Sequence, residues 1–336
     1  MTNGIMTKNG RDNAGFGLFL LWGFLVLAGI LTAGGGCSGK QEALELYIDG
    51  VMLRQLDQNQ LAAEKLNSVV EIDNKFWLAY SLLGEVYDEL RDYEASAAAY
   101  ERATALNPTS FKDYFNLGRV YRIMKKFSLA VKAYVKACEL NPQHFEAHLY
   151  TAQTYYQMRD YEGALAYGRR AEELDPNVGE VQKLLGNIYD SRGDYEQAIR
   201  SYKRSLEIDG NDVAVMTALA TAYLQSERYE PAKELLTEVV QREPDNNSAY
   251  QHLAYCHLRL NELDAAIESY SRALMIDEKD WQSARGLGVA YMLKGLGTGD
   301  EALKAKAVEQ WRLSLAIRPD QPRGDKLIEL IKKYSK

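Results

Sequence analysis

The chain has 336 residues and a formal net charge of −7, from 40 Lys and Arg against 47 Asp and Glu. A net negative charge repels phosphate backbones, so the composition argues against a nucleic-acid partner. The three cysteines, Cys37, Cys138 and Cys256, lack the Cys-x-x-Cys spacing of zinc and redox sites. We expect Cys138 and Cys256 to be small buried hydrophobic residues.

The N-terminus has the outline of a secretory signal. Lys8 and Arg11 precede an almost wholly apolar run from Gly15 to Ala33, and small residues follow up to Cys37. Two outcomes are open from these residues: the apolar run stays as an uncleaved membrane anchor, or the leader is removed by cleavage. Each alternative places the rest of the chain outside the cytoplasm, because the positive charges precede the apolar run.

The stretch Gly34-Gly35-Gly36-Cys37-Ser38 resembles the cleavage region of bacterial lipoprotein precursors, with Gly34 where leucine is usual. The resemblance implies that residues 1–36 are a signal peptide or membrane anchor, that Cys37 is lipidated and that residues 37–42 are a short tether. It also implies a membrane-anchored, periplasm-facing protein of a bacterial cell envelope.

Small residues recur every 34 positions along the rest of the chain. They are Gly50, Gly84, Gly118, Ala152, Gly186, Ala220, Ala254 and Gly288. This period predicts a stack of helix-turn-helix repeats, each of which buries its apolar face against its neighbours. The eight repeats start at residues 43, 77, 111, 145, 179, 213, 247 and 281 and extend to residue 320.

Within each repeat, positions 4, 7, 8 and 11 lie on one face of the first helix. Position 7 is leucine in six repeats and position 11 is tyrosine in six, so we expect this face to be buried. Position 20 is small and position 24 is bulky, and we expect the residue at position 20 to oppose the small one at position 8. Asp92, Asp160 and Asp194 suit N-caps of the second helices, and prolines near position 32 end those helices.

The end of the array departs from the period. Repeat 8 has seven additional residues, 295–301, which we interpret as a surface insertion or, alternatively, a specific contact loop. Residues 321–336 predict a capping helix with Leu327, Ile328 and Ile331 on its buried side. Lys332, Lys333 and Lys336 would then face water.

These repeat positions resemble the tetratricopeptide repeat family over residues 43–320. The resemblance implies an all-α, right-handed superhelical solenoid of about eight helix-turn-helix repeats with a C-terminal capping helix. It also implies a protein-binding function rather than catalysis. No nucleophile elbow, metalloprotease helix or zinc-cysteine pair is present in the sequence, so we expect no catalytic residues, metal or cofactor.

In this family, positions 2, 5, 9 and 12 line a concave groove that binds peptide segments. The candidate groove residues here are Lys112, Phe115, Asn116, Arg119, Arg122, Tyr150, Gln153, Tyr156, Lys183 and Asn187. A surface rich in donors and aromatic rings suits a peptide that carries carboxylates. The family's chaperone-type carboxylate clamp is not matched, because Ala218, Ser248 and His252 follow Lys183 and Asn187.

A structural interpretation of the same stripe is also open. Glu85 and Asp88 occupy positions 9 and 12 of repeat 2, as Arg119 and Arg122 do in repeat 3. Stacked repeats could therefore pair these acids and bases in a surface ladder of small energy.

Together these features predict a non-enzymatic, exported, membrane-tethered adaptor that organises an envelope assembly. It resembles in outline the lipoproteins of type IV pilus assembly or polysaccharide export. Its partner would be a protein or peptide segment of unknown identity. The alternative is a structural protein that self-associates, as a homo-oligomer, without a peptide ligand.

Overall fold

In the computed structural model, residues 38–335 are described, and they form seventeen α-helices and no strand. The helices are α1 Ser38–Gln55, α2 Asn59–Ile72, α3 Trp77–Glu89, α4 Tyr93–Leu106, α5 Phe111–Ile123, α6 Phe127–Leu140, α7 Phe145–Gln157, α8 Tyr161–Leu174, α9 Gly179–Arg192, α10 Tyr195–Ile208, α11 Val213–Gln225, α12 Tyr229–Arg242, α13 Asn247–Arg259, α14 Leu263–Ile276, α15 Trp281–Thr298, α16 Glu301–Ile317 and α17 Gly324–Tyr334. The all-α class predicted from the repeat is confirmed for this part of the chain.

The predicted leader and Cys37 lie outside the described residues. The first helix begins at Ser38, so residues 38–42, expected to be a tether, are helical instead. Within residues 38–335, no helix has both the length and the apolar character needed to cross a membrane.

Contacts divide the chain into two compact units, one that ends at Lys126 and one that begins at Phe127. The N-terminal unit contains helices α1–α5 and the C-terminal unit contains α6–α17. In each unit, consecutive helices pack side by side. Repeat 3 contributes its first helix to the N-terminal unit and its second to the C-terminal unit.

Polar caps fix where the helices begin. The carboxylate oxygens of Asp92 and Asp160 accept hydrogen bonds from the Ala95 and Gly163 N–H groups, both at 3.0 Å, as predicted. Asp194 precedes α10 but its side chain makes no cap hydrogen bond. It pairs instead with Arg192, at 3.1 Å, which draws the carboxylate away from the helix end.

A second set of caps was not predicted from the sequence. The residue before the first helix of several repeats accepts a hydrogen bond from an N–H of the first helical turn. These residues are Ser110, His144, Asp212, Asn246 and Asp280. Side-chain acceptors at that place satisfy N–H groups that have no partner inside the helix.

The turn between the two helices of a repeat has a left-handed residue at position 15. These residues are Asp57, Arg91, Lys125, Arg159, Gly193, Glu227 and Asn261, with φ from 57° to 80°. The N–H of the residue after the left-handed one then donates to a carbonyl inside the first helix, as Asp92 does to Tyr87 at 2.9 Å. Gly193 is the residue type that this conformation favours most, and Asn261 and Asp57 are next, whereas the Arg, Lys and Glu residues at the other positions gave no sequence signal.

The buried seam follows the predicted positions, with one addition. The position-7 leucines Leu83, Leu117, Leu185, Leu219, Leu253 and Leu287 are all buried. The small residue at position 8 meets the side chain at position 24 as well as the residue at position 20, since a Cβ on Gly288 would lie 3.0 Å from the Ala307 carbonyl oxygen. A Cβ on Gly84 would lie 2.6 Å from the Tyr100 ring, and one on Gly186 would lie 2.5 Å from the Tyr202 ring.

Repeat 4 reverses this size relation, with Ala152 at position 8 and Gly168 at position 24. A Cβ on Gly168 would lie 3.8 Å from the Ala152 Cβ and 3.0 Å from Leu185. The small residue at position 20 lies beside the same backbone, since the Ser96 hydroxyl donates to the Gly84 carbonyl at 2.7 Å. The helices therefore pack by complementary volume, with position 24 as a contact that sequence spacing alone did not predict.

The end of the C-terminal unit differs from the prediction in two ways. The additional residues of repeat 8 form no long loop, because α15 extends to Thr298 and α16 begins at Glu301, with Gly299 left-handed between them. In α17, Leu327 and Ile331 are buried but Ile328 is 41% exposed. The helix packs on α16 along a narrow i, i+4 stripe, which Ile328 lies outside. Lys332 and Lys333 are exposed, as predicted.

Candidate functional site

The stripe of the N-terminal unit is a set of ion pairs between successive first helices. Arg54 of α1 contacts two carboxylates of α3, with Nη1 at 2.5 Å from Glu85 Oε2 and Nη2 at 2.7 Å from Glu89 Oε1. Lys112 of α5 pairs with the same Glu85 from the other side. The Glu85 side chain is only 12% exposed, whereas that of Lys112 is 64% exposed.

Arg119 makes the second pair of this stripe, with Asp88 of α3. The Asp88 side chain is also 12% exposed and that of Arg119 is 36% exposed. Phe115, one turn earlier in α5, stacks on Phe111 with ring centroids 5.7 Å apart. Asn116 and Arg122 are half-buried on the same helix. The cations therefore cover nearly buried acids, as the ladder interpretation supposed, while their own heads reach solvent.

In repeat 4, which opens the part of the stripe in the C-terminal unit, the contacts are polar rather than ionic. Gln153 Nε2 donates to Glu180 Oε1 at 2.8 Å, and the Tyr156 and Ser191 hydroxyl oxygens are 3.3 Å apart. Tyr150 packs on Tyr134 with ring centroids 6.1 Å apart. These contacts join α7 to its neighbours and leave parts of the rings half-exposed.

Lys183 and Asn187 of α9 are both engaged in internal contacts. Lys183 Nζ lies 2.8 Å from Asp212 Oδ2, and this hydrogen bond lowers the pKa of the Asp212 carboxyl. Asp212 also caps α11, and Asn187 Oδ1 accepts a hydrogen bond from the Tyr202 hydroxyl at 2.8 Å. The two residues that matched the chaperone clamp thus stabilise the repeat stack.

The structure thus brings Lys112, Phe115, Asn116, Arg119 and Arg122 together in the N-terminal unit. The other five candidates, Tyr150, Gln153, Tyr156, Lys183 and Asn187, lie in the C-terminal unit on α7 and α9.

A further cluster at the junction of repeats 6 and 7 was not predicted. The Arg259 guanidinium lies over the Tyr229 ring, with its central carbon 4.4 Å from the ring centroid, and 5.7 Å from that of Tyr255. Its Nη1 donates to the Tyr255 hydroxyl at 2.8 Å, and Tyr255 is 37% exposed. Tyr255 occupies position 9, so the groove positions contained the signal that would have found it.

His144, His148, Cys138 and Cys256 are held in helix caps or in the packed interior. Ala147 N–H donates to His144 Nδ1 at 3.2 Å, while His148 is buried with Nε2 3.1 Å from the Pro142 carbonyl. Cys138 and Cys256 are free and buried, as predicted, and burial raises the pKa of Cys256 to about 12, which disfavours a reactive thiolate. Within residues 38–335, no cluster of His, Cys, Asp and Glu side chains could hold a metal ion.

A second network at the junction of repeats 6 and 7 contains a histidine in place of the recurring tyrosine. His257 stands at position 11 of repeat 7, and its Nδ1 lies 2.5 Å from Glu262 Oε2. Lys233 Nζ lies 2.8 Å from both Glu262 and Glu230. The hydrogen bonds from Lys233 and His257 lower the pKa of the Glu262 carboxyl. The network joins α12 to α14.

Similarity to the solved structure of YrrB supports the helical repeat fold. YrrB, described as a TPR protein with an unusual peptide-binding site, is 22% identical, with 60% of this chain and 99% of YrrB covered at a TM-score of 0.52. A tetratricopeptide repeat protein from Parabacteroides merdae is 17% identical over 74% of this chain and 99% of its own, with a TM-score of 0.49. MamA is 19% identical over 51% of this chain and 94% of its own, with a TM-score of 0.48.

Sequence comparison gives the family. A comparison with curated proteins finds no match. The family model described as Cilia and flagella-associated protein 70 C-terminal domain, a tetratricopeptide repeat model, matches residues 41–286, which is more than half of the chain. The resemblance drawn from the repeat positions is thereby confirmed. The chain belongs to this family of tetratricopeptide repeat proteins.

Proposed function

We propose that this chain is a non-enzymatic adaptor that holds a segment of another protein along positions 2, 5, 9 and 12 of its first helices. The observation that carries the proposal is the charge arrangement of the N-terminal unit. Glu85 and Asp88 are nearly buried, whereas the heads of Lys112 and Arg119 reach solvent. A guanidinium has five N–H donors, so Arg119 can bind a second carboxylate while it keeps its pair with Asp88.

The repeat fold supports the same proposal. Most repeats bury positions 7 and 8, and position 11 is buried wholly or in part, which leaves the stripe on the first helices as the surface that varies between repeats. YrrB, which shares this fold, has a peptide-binding site. A segment with carboxylates would find cations at Lys112, Arg119 and Arg122, with Phe115 beside them.

Site-specific crosslinking in intact cells tests this proposal. A photoreactive residue at Lys112, on the stripe, is expected to capture a defined partner protein. The same residue at Ala98, which is exposed on the second helix α4 of the same unit, is the control and should capture none of it. Equal capture at both positions would contradict a groove site.

Charge reversal gives the second test. Arg119→Glu with Arg122→Glu should abolish recovery of the captured partner. Because Arg119→Glu also removes the pair with Asp88, a neutral variant, Asp88→Asn with Arg119→Gln, separates charge from folding. We expect the neutral variant to keep its helix content by circular dichroism and still lose most of the partner. Full recovery with both variants would refute the groove proposal.

We propose further that the protein is exported and tethered to a membrane of a bacterial envelope through Cys37. Support comes from the sequence, namely the basic leader, the apolar run and the small residues before Cys37. With α1 starting at Ser38, a lipid on Cys37 would adjoin the first helix directly. Radiolabelled palmitate should enter the wild-type chain and not Cys37→Ala. Incorporation that survives this substitution would exclude a lipid anchor at Cys37.

Self-association is the second candidate function, and Met52 favours it. Met52 is 55% exposed, whereas the same position in later repeats holds residues such as Val86, Val120 and Cys256 with no exposed surface. Light scattering should show a mass that rises with protein concentration and falls in Met52→Glu. A constant monomeric mass would remove this candidate.

A further inference from the structure

Successive first helices meet through a recurring three-residue junction. Position 12 of one repeat contacts positions 9 and 13 of the next, as Arg54 contacts Glu85 and Glu89 at the first junction. Asp88 contacts Arg119 at position 9, and Tyr156 contacts Ser191 at position 13. The same junction between repeats 6 and 7 consists of Leu224, Tyr255 and Arg259.

Arg259 has no acidic partner at its junction. In the N-terminal unit, Arg54 and Arg119 each meet a carboxylate at this place. At the junction of repeats 6 and 7, the position that would supply the carboxylate is Leu224. Among residues 38–335, Arg259 forms no ion pair, and Glu227 is the carboxylate that acts on it at longer range. Its charge is therefore not neutralised by a direct contact.

Two tyrosines hold the guanidinium in one orientation. Tyr229 lies against its face at 4.4 Å, and the Tyr255 hydroxyl accepts from Nη1 at 2.8 Å. The two rings stand edge to face, with centroids 6.2 Å apart and planes at 79°. Restricting a long side chain in advance lowers the entropy cost of binding a ligand. Arg259 is exposed, and a guanidinium has five N–H donors, more than the tyrosine hydroxyls can accept.

The junction that follows is apolar. Between repeats 7 and 8, the equivalent residues are Leu258, Val289 and Leu293, and Leu293 is 45% exposed. The extension of α15 adds Leu296, which is 51% exposed. Arg259 and this exposed leucine pair lie on neighbouring first helices of one compact unit. Arg259, which forms no ion pair with a described residue, is thus followed on the next first helix by the exposed apolar side chains of Leu293 and Leu296.

We infer that Tyr229, Tyr255 and Arg259 form a binding site for the carboxylate of an Asp or Glu that is followed by an apolar residue, in a segment of a partner protein. The inference rests on the proposed function and extends it to a second place in the groove. The carboxylate pairs with the edge of the Arg259 guanidinium, and the apolar residue packs towards Leu293. Charge complementarity selects this occupant, because a bidentate carboxylate supplies the partner that Leu224 does not.

Peptide selection on the full chain in detergent micelles tests this inference. The probe is a library of random ten-residue peptides displayed on phage, selected against wild type, Arg259→Gln and Arg119→Gln. We expect wild type to enrich peptides with Asp or Glu next to Leu, Ile or Phe. Arg259→Gln should lose this motif, and Arg119→Gln should keep it while losing the acidic peptides that bind beside Lys112 and Arg119. The same motif with Arg259→Gln as with wild type would overturn the inference.

A titration of one selected peptide makes the test quantitative. Exchanging its Glu for Gln should weaken binding to wild type about tenfold and change binding to Arg259→Gln by less than about twofold. Tyr255→Phe keeps the ring but removes the 2.8 Å hydrogen bond, and we expect an intermediate loss of affinity. Equal discrimination between the two peptides by wild type and Arg259→Gln would contradict the assignment.

The outcomes separate this inference from the proposed function. Selected peptides that depend on Arg119 and not on Arg259 would support the groove and overturn the inference. A failure of wild type to select any peptide would overturn both. A drop in mass on Arg259→Gln in light scattering would identify a second copy as the occupant and would also overturn it.

Discussion

The N-terminal and C-terminal units use the same interior contact but carry different charges on their groove stripes. Gly84 faces Tyr100 in one unit as Gly186 faces Tyr202 in the other. At the repeat junctions, Arg119 of the stripe covers the nearly buried Asp88, whereas Arg259, at position 13 beside the stripe, lies between tyrosines. Packing thus fixes the residues at the seam in both units, while the stripe is free to vary because no core depends on it.

The difference shows that the residue opposite an arginine at a repeat junction decides whether the arginine serves stability or binding. An arginine opposite an acid stabilises the stack and is only partly available to a ligand. An arginine opposite a leucine adds little to stability, and its donors remain open. Three predictions probe this comparison.

Breaking the shared interior should give the largest effect. Gly84→Val and Gly186→Val force a branched side chain into the rings of Tyr100 and Tyr202, which are almost wholly buried. Each should lower the free energy of unfolding by about 2 kcal/mol, and by similar amounts in the two units. Hydrogen exchange of α3 and α9 measures the local loss.

Exposed alanines provide the matched controls. Ala98→Val and Ala166→Val lie on solvent-facing positions of α4 and α8 and should cost less than about 0.7 kcal/mol, through helix propensity alone. If one glycine variant behaved like its alanine control, the two interiors would not be equivalent.

The two arginines should differ in their effect on stability. Arg119→Gln leaves the Asp88 carboxylate, 12% exposed, without its partner and should cost about 1 to 2 kcal/mol. Arg259→Gln loses only ring contacts and a hydrogen bond to a phenol and should cost less than about 1 kcal/mol. Denaturant unfolding monitored by hydrogen exchange in α5 and α13 gives both values.

The salt dependence of these two stability costs gives a further test of the difference between Arg119 and Arg259. Raising the ionic strength to 1 M should reduce the cost of Arg119→Gln and leave that of Arg259→Gln nearly unchanged, because ion pairs are screened and ring contacts are not. An equal salt response of the two variants would show that Arg259 has a carboxylate partner after all.

The smallest effect concerns Asp190, which occupies position 12 of repeat 5. Burial raises the pKa of this carboxyl, so the folded state favours its protonated form. Its contribution to stability is therefore greatest at low pH and is lost as the pH rises through the folded-state pKa. Asp190→Asn should raise the midpoint of thermal unfolding at pH 7, and the gain should vanish near pH 3.

Asp88→Asn is the control for the Asp190 variant. Since Asp88 pairs with Arg119, its neutralisation should lower the midpoint at pH 7, opposite in sign to Asp190→Asn. Changes of the same sign at pH 7 would contradict the difference between a paired and an unpaired carboxylate at this junction position.

Much of the fold could be predicted because the same packing contact recurs from repeat to repeat. The buried leucines recur at one position, and a stack of equivalent repeats requires the same contact each time. The facing of position 8 by position 24 could not be predicted, because spacing shows which residues share a face and not how two helices approach each other. In repeat 4, the contact of position 24 with position 8 joins Gly168 to Ala152, and it is apparent only in the folded structure.

The candidate site was predicted in part. The stripe positions were predictable from the family resemblance, and so was the pairing of acid with base around Arg119. That Lys183 and Asn187 would be held by Asp212 and Tyr202 was not predictable, since those partners come from other helices. The residues at position 13, among them Arg259, were missed because they lie outside the four stripe positions considered.

The sequence by itself determined the repeat period, the helical class and the buried face, because burial imposes the same residue types wherever the same contact recurs. Only the tertiary structure decided which charges meet. A side chain's partner depends on where the next helix places its own residues, and at the junction of repeats 6 and 7 that helix places tyrosine and leucine, not a carboxylate, beside Arg259.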